Sequence, residues 1–283
     1  MKVVKTNKAL FQAISSWRKD GHTVGFVPTM GALHEGHISL IKAALAKNDV
    51  VVCSIFVNPT QFNNAKDLAL YPRTLQKDRV VLEEAGCSLL YAPSVEEVYP
   101  PNLETEVKFP FKGLDKMMEG KFRPGHFKGM AQVVKRLLDL VQPDHLYMGQ
   151  KDFQQFTIVA HMLKTLKMKT QLVVCPILRE KNGLAMSSRN QRLTPELREQ
   201  AAIIHKTLKA AKTKLKTMEV REVEKWAMKK MEVPDFKPEY FSIVDGYTLK
   251  SVHDIHQHDY IVACVAVWAG EVRLIDNMIY KNP

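Results

Sequence analysis

An α/β fold, a doubly wound parallel sheet followed by a smaller α+β domain, is predicted by two features of the sequence. Short apolar runs alternate with helix-period segments through the first part of the chain, and after about residue 177 the order becomes helices followed by strands. The strands of the sheet are expected at residues 23–27, 50–57, 87–91, 145–148 and 171–175. Between them Ile38, Leu40, Ile41, Ala44 and Leu45 recur at helical spacing, as do Val133, Val134, Leu137, Leu138 and Val141. Beyond them, residues 195–216 and 220–231 read as helices, and 240–244, 260–267 and 273–278 as strands. The division is expected at 1–177 and 178–283: Pro176 punctuates the chain, although no Gly/Ser-rich linker follows it. No internal repeat is found.

Composition narrows the function classes. The 283 residues, 46% hydrophobic and 25% charged, suffice for two cores and lie in the globular range. Lys5, Asn7 and Lys8 interrupt the first apolar residues, so no secretory signal is expected. Apolar runs such as 50–57 are far shorter than the roughly 20 residues of a bilayer span, so no membrane crossing is expected either. Cys53, Cys87, Cys175 and Cys264 are widely separated in strand-like settings without CxxC spacing, which reads as reduced core thiols of a cytosolic protein. A net charge of +11 suits nucleic acid, an anionic membrane or a polyanionic small substrate. The lysines of 164–169 and 206–216 lack interleaved aromatics, so they read as solvated helix faces rather than a nucleic-acid groove.

The chemistry concentrates after the first long strand, in the run Gly25-Phe-Val-Pro-Thr-Met-Gly-Ala-Leu-His-Glu-Gly-His37. A strand end, a Gly-containing turn and a helix start bring unpaired N–H groups and the helix dipole to one place, which predicts an anion site. Gly31 and Gly36 are expected to let a nucleotide approach the backbone. His34 and His37, three apart, can face one spot and donate to phosphate oxygens as charge builds at phosphorus. No third metal ligand stands nearby, and the spacing is not that of an HExxH zinc helix.

HEGH after this strand resembles the HxGH signature of the nucleotidyltransferase superfamily, and the longer string PTMGALHEGHISL resembles the pantothenate synthetase family. The resemblance continues in order through FVNPTQF (56–62), YPRTLQKD (71–78), FRPGHFKGM (122–130), GQKDFQQ (149–155) and MSSRN (186–190). It implies a Rossmann-like fold and ATP-dependent condensation of pantoate with β-alanine through pantoyl adenylate. It also implies Mg2+ as companion of ATP, and a homodimer. The implied ATP site comprises Met30, Gly31, Ala32, Leu33, His34, Glu35, Gly36, His37, Gly149, Gln150, Lys151, Asp152, Leu178, Met186, Ser187, Ser188 and Arg189. Lys151 would place a point charge on the phosphates and Asp152 would recognise the ribose. Gln150 stands where the family commonly has Glu, and is expected to point away from the phosphates.

Met186-Ser187-Ser188-Arg189, after a flexible Asn182-Gly183, combines hydroxyls and a guanidinium suited to closing over a triphosphate. Gln61 and Gln155 can donate and accept at once, as a hydroxy acid requires. The resemblance assigns both to pantoate, and Gln61, assisted by Asn58, to β-alanine. Asp78 is read either as a holder of Mg2+ or as a solvated helix residue. Arg123 and His126 are placed at the rim, and His253, His256 and His258 in a hydrophilic turn. His37 is expected to lead catalysis, with His34 and Lys151 supporting it. The rivals are another HxGH nucleotidyltransferase and a basic RNA-binding module.

Overall fold

The structure, a computed structural model, describes residues 1–62 and 68–282. Six strands, β1 (Lys2–Val4), β2 (Val24–Thr29), β3 (Val50–Ile55), β4 (Leu89–Tyr91), β5 (His145–Gly149) and β6 (Gln171–Cys175), form one sheet in the order β1-β4-β3-β2-β5-β6. Every pairing is parallel. Among the described residues seven helices accompany it: α1 (Asn7–Lys19), α2 (Glu35–Leu45), α3 (Leu75–Glu84), α4 (Val95–Val98), α5 (Glu119–Phe122), α6 (His126–Val141) and α7 (Phe153–Thr165). The expected parallel sheet is present, with β1 and α1 added. Three residues of β1 were too short a run to read, and α1 opens on the Thr6 side chain, which accepts from Ala9 N.

Alternation along β3 explains the layers. Val50 and Val52 pack with Phe26, Leu10 and Leu138 under α1 and α6. Val51 and Cys53 pack with Val27, Ile41 and Leu82 under α2 and α3. Both faces of the sheet are therefore covered, which is why its central strands read as continuous apolar runs. Each such side chain contributes about 1.5–3 kcal/mol relative to exposure.

The strand order positions the site. From β2 the chain proceeds through β3 to β4 on one side, then returns to β5 on the other side of β2. A crevice opens at such a reversal, outside the carboxyl ends of the two strands. The two motifs that follow β2 and β5 therefore meet there.

The second sheet is antiparallel, β7 (Phe236–Asp245), β8 (Ile261–Ala269) and β9 (Val272–Lys281) in sequence order, covered by α8 (Pro195–Gln200), α9 (Ala202–Lys214) and α10 (Val220–Met231). The single helix expected at 195–216 is two, because Ala201 (ψ −13°) caps the first and unwinds the join. Ile243, Ala263 and Val265 face a core with Ile204, Leu208 and Val223. Val244, Val262 and Cys264 face the other way and join the core of the large sheet. The small sheet is thereby packed against the large one. All four cysteines are buried and free.

Candidate active site

β2 ends at Thr29, whose Oγ1 donates to Ser54 O at 2.7 Å and accepts from Gly31 N at 3.2 Å, tying the turn to β3. Gly31 (φ 85°) and then Ala32 (φ 50°) adopt the left-handed region, an uncommon conformation for alanine. Asp78, on α3, holds it there: Oδ2 accepts from Ala32 N at 3.0 Å and Oδ1 from Leu33 N at 2.8 Å. Ser188 Oγ donates to Ala32 O at 3.0 Å from the opposite side.

Both readings of Asp78 are thereby corrected. The residue is 2% exposed, neither solvated nor free to take a metal, because its two oxygens already serve backbone donors. Among the described residues no group of three His, Cys, Asp or Glu side chains could hold a metal ion. That includes the C-terminal histidines, of which His258 Nδ1 lies 3.0 Å from Asp245 Oδ2.

His34 is the N-cap of α2, and its Nδ1 accepts from Gly36 N at 3.1 Å; His37 Nδ1 accepts in turn from His34 N at 3.3 Å. The two imidazoles close a capping box in place of the usual hydroxyl and carboxamide. A ring nitrogen that accepts carries no proton, so each neutral ring bears its proton on Nε2. Burial, and then the Lys151 charge, lowers His34 to about 4. Burial, then His34, then Lys151, lowers His37 to about 3. At neutral pH both are uncharged Nε2–H donors.

The expected anion site of unpaired amides is therefore different in kind. The N–H groups of Ala32, Leu33, His34 and Gly36 are already spent on Asp78, His37 and His34. The side-chain donors at this end of α2 are ring nitrogens. Gly36 also makes room for the folded-back imidazole: a Cβ there would lie 2.8 Å from His34 Cε1. Gly31 likewise makes room for Asp78, whose Oδ2 would lie 3.1 Å from an added Cβ.

A cavity of about 220 Å³ fills the crevice. Of the residues expected at the nucleotide, Met30, His34, Gly36, His37, Gly149, Lys151, Asp152, Leu178, Met186, Ser187, Ser188 and Arg189 line it. Gly31, Ala32, Leu33, Glu35 and Gln150 do not: the first three lie in the turn that Asp78 holds, Glu35 is exposed, and Gln150 bonds Asn277 through Nε2 at 3.0 Å. Ser188 reaches the cavity with its hydroxyl proton committed to Ala32. Ser187 Oγ accepts from Arg189 N, and the Arg189 guanidinium lies 5.8 Å from the Tyr71 ring centre. Lys151 Nζ stands 3.7 Å from Asp152 Oδ1. Lys151, Asp152 and Arg189 also border two adjoining cavities of about 540 and 80 Å³.

Gln61 and Gln155 line the cavity as well. Gln61 ends a short 3-10 turn and is 8% exposed; its Nε2 donates to Met30 Sδ at 3.0 Å. Asn58 lines the cavity too; its Oδ1 accepts from Tyr99 OH and Thr60, and its Nδ2 donates to Gln61 Oε1 and Gly129 O, so that it also orients Gln61. His126 is buried behind the same turn, not at a rim. Its Nδ1 donates to Gln61 O at 2.7 Å, and burial, then Arg123, lowers it to about 4. α6 comes this close because residue 129 is Gly: a Cβ would lie 2.2 Å from Thr60 O.

Sequence reading missed the apolar wall formed by Met130, Val133, Val134 and Leu137 of α6 with Phe56 and Tyr71. A signal existed. The buried positions of α6 span more than the single stripe a surface helix needs, and the excess faces the cavity.

Comparison with known proteins bears on this geometry. The family model described as "Pantoate-beta-alanine ligase" matches residues 2–279. The chain is similar to the pantothenate synthetase of Bacteroides thetaiotaomicron, 49% identical over the whole of both chains, and to that of Porphyromonas gingivalis, 46% identical over the same extent. Among solved structures it resembles the pantothenate synthetase of Thermus thermophilus (TM-score 0.92, 41% identical, covering 99% of this chain and 100% of the other). It also resembles the pantoate-beta-alanine ligase of Francisella tularensis, described as complexed with beta-gamma ATP and beta-alanine (TM-score 0.82, 36% identical, covering 99% and 98%).

Proposed function

The chain belongs to the pantoate–β-alanine ligase family, and from that premise we propose how its cavity carries out ATP-dependent synthesis of pantothenate. The protein is a ligase with ATP as substrate. The observation that carries the mechanism is the pair of neutral imidazoles, each with its donor nitrogen opposite the one its own backbone claims.

A carboxylate resists amine attack because its oxygen leaves poorly, and adenylation replaces that oxygen with AMP. A pantoate carboxylate oxygen attacks the α-phosphorus of ATP; the new O–P bond forms as the bond to the β-phosphate bridging oxygen breaks and pyrophosphate leaves. Negative charge grows on the phosphoryl oxygens. His37, with His34, donates Nε2–H hydrogen bonds that strengthen as it does, and Lys151 adds its charge. Neutral rings suit this role, since neither needs to lose or gain a proton. Ser187 and Arg189 close on the triphosphate, Asp152 on the ribose, and Gly149, which leaves open space where a Cβ would be, admits the nucleotide. Met130, Val133 and Val134 accept the methyl groups of pantoate, while Gln61 and Gln155 bond its hydroxyl and carboxylate. The β-alanine amine, guided by Gln61, then attacks the acyl carbon; the C–N bond forms, the bond to AMP breaks, and the amine gives up a proton.

Mg2+ is proposed as the companion of the triphosphate. The residues present do not form a cage for it, since Asp78 is spent on the backbone, so the ion would be held through the phosphates. We also propose a domain division at 177/178, supported by the separate cores of Ile204, Leu208 and Val223 and of the large sheet. A homodimer is proposed on the resemblance of the motifs, and a cytosolic location on that and the four free thiols. Among the described residues no helix is long and apolar enough to cross a membrane.

Pyrophosphate exchange into ATP, with pantoate present and β-alanine absent, tests the mechanism. Pantoate-dependent exchange is expected. Its absence in an enzyme that still makes pantothenate would rule out a reversible adenylate.

A further inference from the structure

The carbonyls on either side of the Gln150–Lys151 junction are claimed by a side chain far along the sequence. Asn277, on β9, is 1% exposed. Its Nδ2 donates to Gln150 O and to Lys151 O, each at 2.9 Å, and its Oδ1 accepts from Gln150 Nε2 at 3.0 Å. Carbonyl oxygens only accept, so the carboxamide has one possible orientation, and all its hydrogen-bonding capacity faces this loop.

Asn277 is itself braced. Asp276 Oδ1 accepts from Asn277 N at 2.7 Å, and the same carboxylate holds Arg179 at 2.6 and 3.0 Å. On the loop's other flank Gln150 N donates to Cys175 O at 2.8 Å. At Gly149 no side chain packs against the loop: an added Cβ would meet no atom within 4 Å. Asn277 is not needed merely to attach the small sheet. A separate network does that, with Arg273 bonding Glu119 at 2.7 Å through each terminal nitrogen and Tyr240 bonding the same carboxylate at 2.8 Å.

We propose that Asn277 is a positioning residue for adenylation: it fixes the backbone from which Lys151 projects, and through it the place of the ammonium over the phosphates. The inference rests on the assignment of Lys151 to the phosphates made above. Released from Asn277, two buried carbonyls must find water and the loop relaxes into the cavity. A displacement approaching 1 Å costs up to about 100-fold in rate.

The test is a double-mutant cycle on the full-length enzyme: Asn277→Ala, Lys151→Met and the pair, with single-turnover adenylate formation measured below the melting temperature of each. Asn277→Ala is expected to slow the step by about 10-fold or more when Lys151 is present, and by less than about twofold when it is Met. Equal factors in the two backgrounds, or a lowered Tm with an unchanged rate, overturn the proposal. An unchanged rate in Lys151→Met alone overturns the phosphate assignment and the inference with it, and is recognisable as such. Should Asn277→Ala fail to fold, Gln150→Ala removes only the bond to Oδ1; a loss of a few fold that vanishes in Lys151→Met is expected, and an additive loss refutes.

Discussion

Replacing Gly36 with alanine isolates the role of the folded-back imidazole. The added methyl would sit 2.8 Å from His34 Cε1 and 2.9 Å from Nδ1, whereas ordinary carbon contacts begin near 3.4 Å. The ring must therefore retreat by about 0.6 Å, enough to stretch the 3.1 Å bond from Gly36 N beyond useful length. Loss of a cap of this kind costs about 0.5–2 kcal/mol, a fall of roughly 1–3 °C in Tm for a chain of this size. The Nε2–H moves with the ring, and a positional error of this size lowers the adenylation rate by about 10- to 100-fold. Rapid-quench measurement of adenylate formation, with a parallel thermal melt, reads both. If the glycine instead served close approach of the nucleotide, the ATP KM would rise while the saturated rate held. That pattern, or a rate within twofold of the parent at unchanged Tm, would sink the account of His34.

Three further outcomes follow from the same geometry. Gln61→Ala should weaken use of pantoate and β-alanine and leave ATP affinity intact, since its amide is assigned to the organic substrates; calorimetry with each ligand would expose an equal loss of all three, which contradicts the assignment. Gly129→Ala drives a methyl to 2.2 Å from Thr60 O and should cost about 1–3 kcal/mol in urea unfolding, with the pantoate KM rising as the Gln61 turn is displaced; a neutral substitution would mean that α6 does not depend on this contact. Burial holds His37 near 3 and His126 near 4, below the roughly 6.5 of an unfolded chain, so the unfolded state binds more protons as pH falls. Their contribution is full above pH 6.5 and is lost towards pH 4, at up to about 1.4 kcal/mol per pH unit for each; equal unfolding free energies at pH 7 and pH 5 would disprove it.

The parallel sheet was legible because its central strands are buried on both faces and bounded by turns, and the HEGH run because it follows such a strand. What sequence could not show is which partner claims each polar group. Asp78 looked like a ligand or a solvated acid because nothing near it in sequence announces the amides of Ala32 and Leu33. Asn58 lines the cavity, but nothing near it in sequence announces its bonds to Tyr99 and Gly129. Val133 and Val134 mark a helix by their period, but the period does not say whether an apolar face meets protein or a cavity. The discounting of Gln150 as a phosphate group rested on residue chemistry and agrees with its bond to Asn277; the partner was beyond reach.

The contact between β9 and the loop after β5 has a consequence for the order of events at the ribosome. The last strand of the large sheet ends at Cys175, and roughly a hundred more residues must be synthesised before Asn277 exists. At about 5–20 residues per second that is a delay of roughly 5–20 s, during which the large sheet is complete in sequence but the loop carrying Lys151 lacks its brace. A nascent chain can therefore gather the motifs that follow β2 and β5 well before Asn277 arrives to brace the second of them.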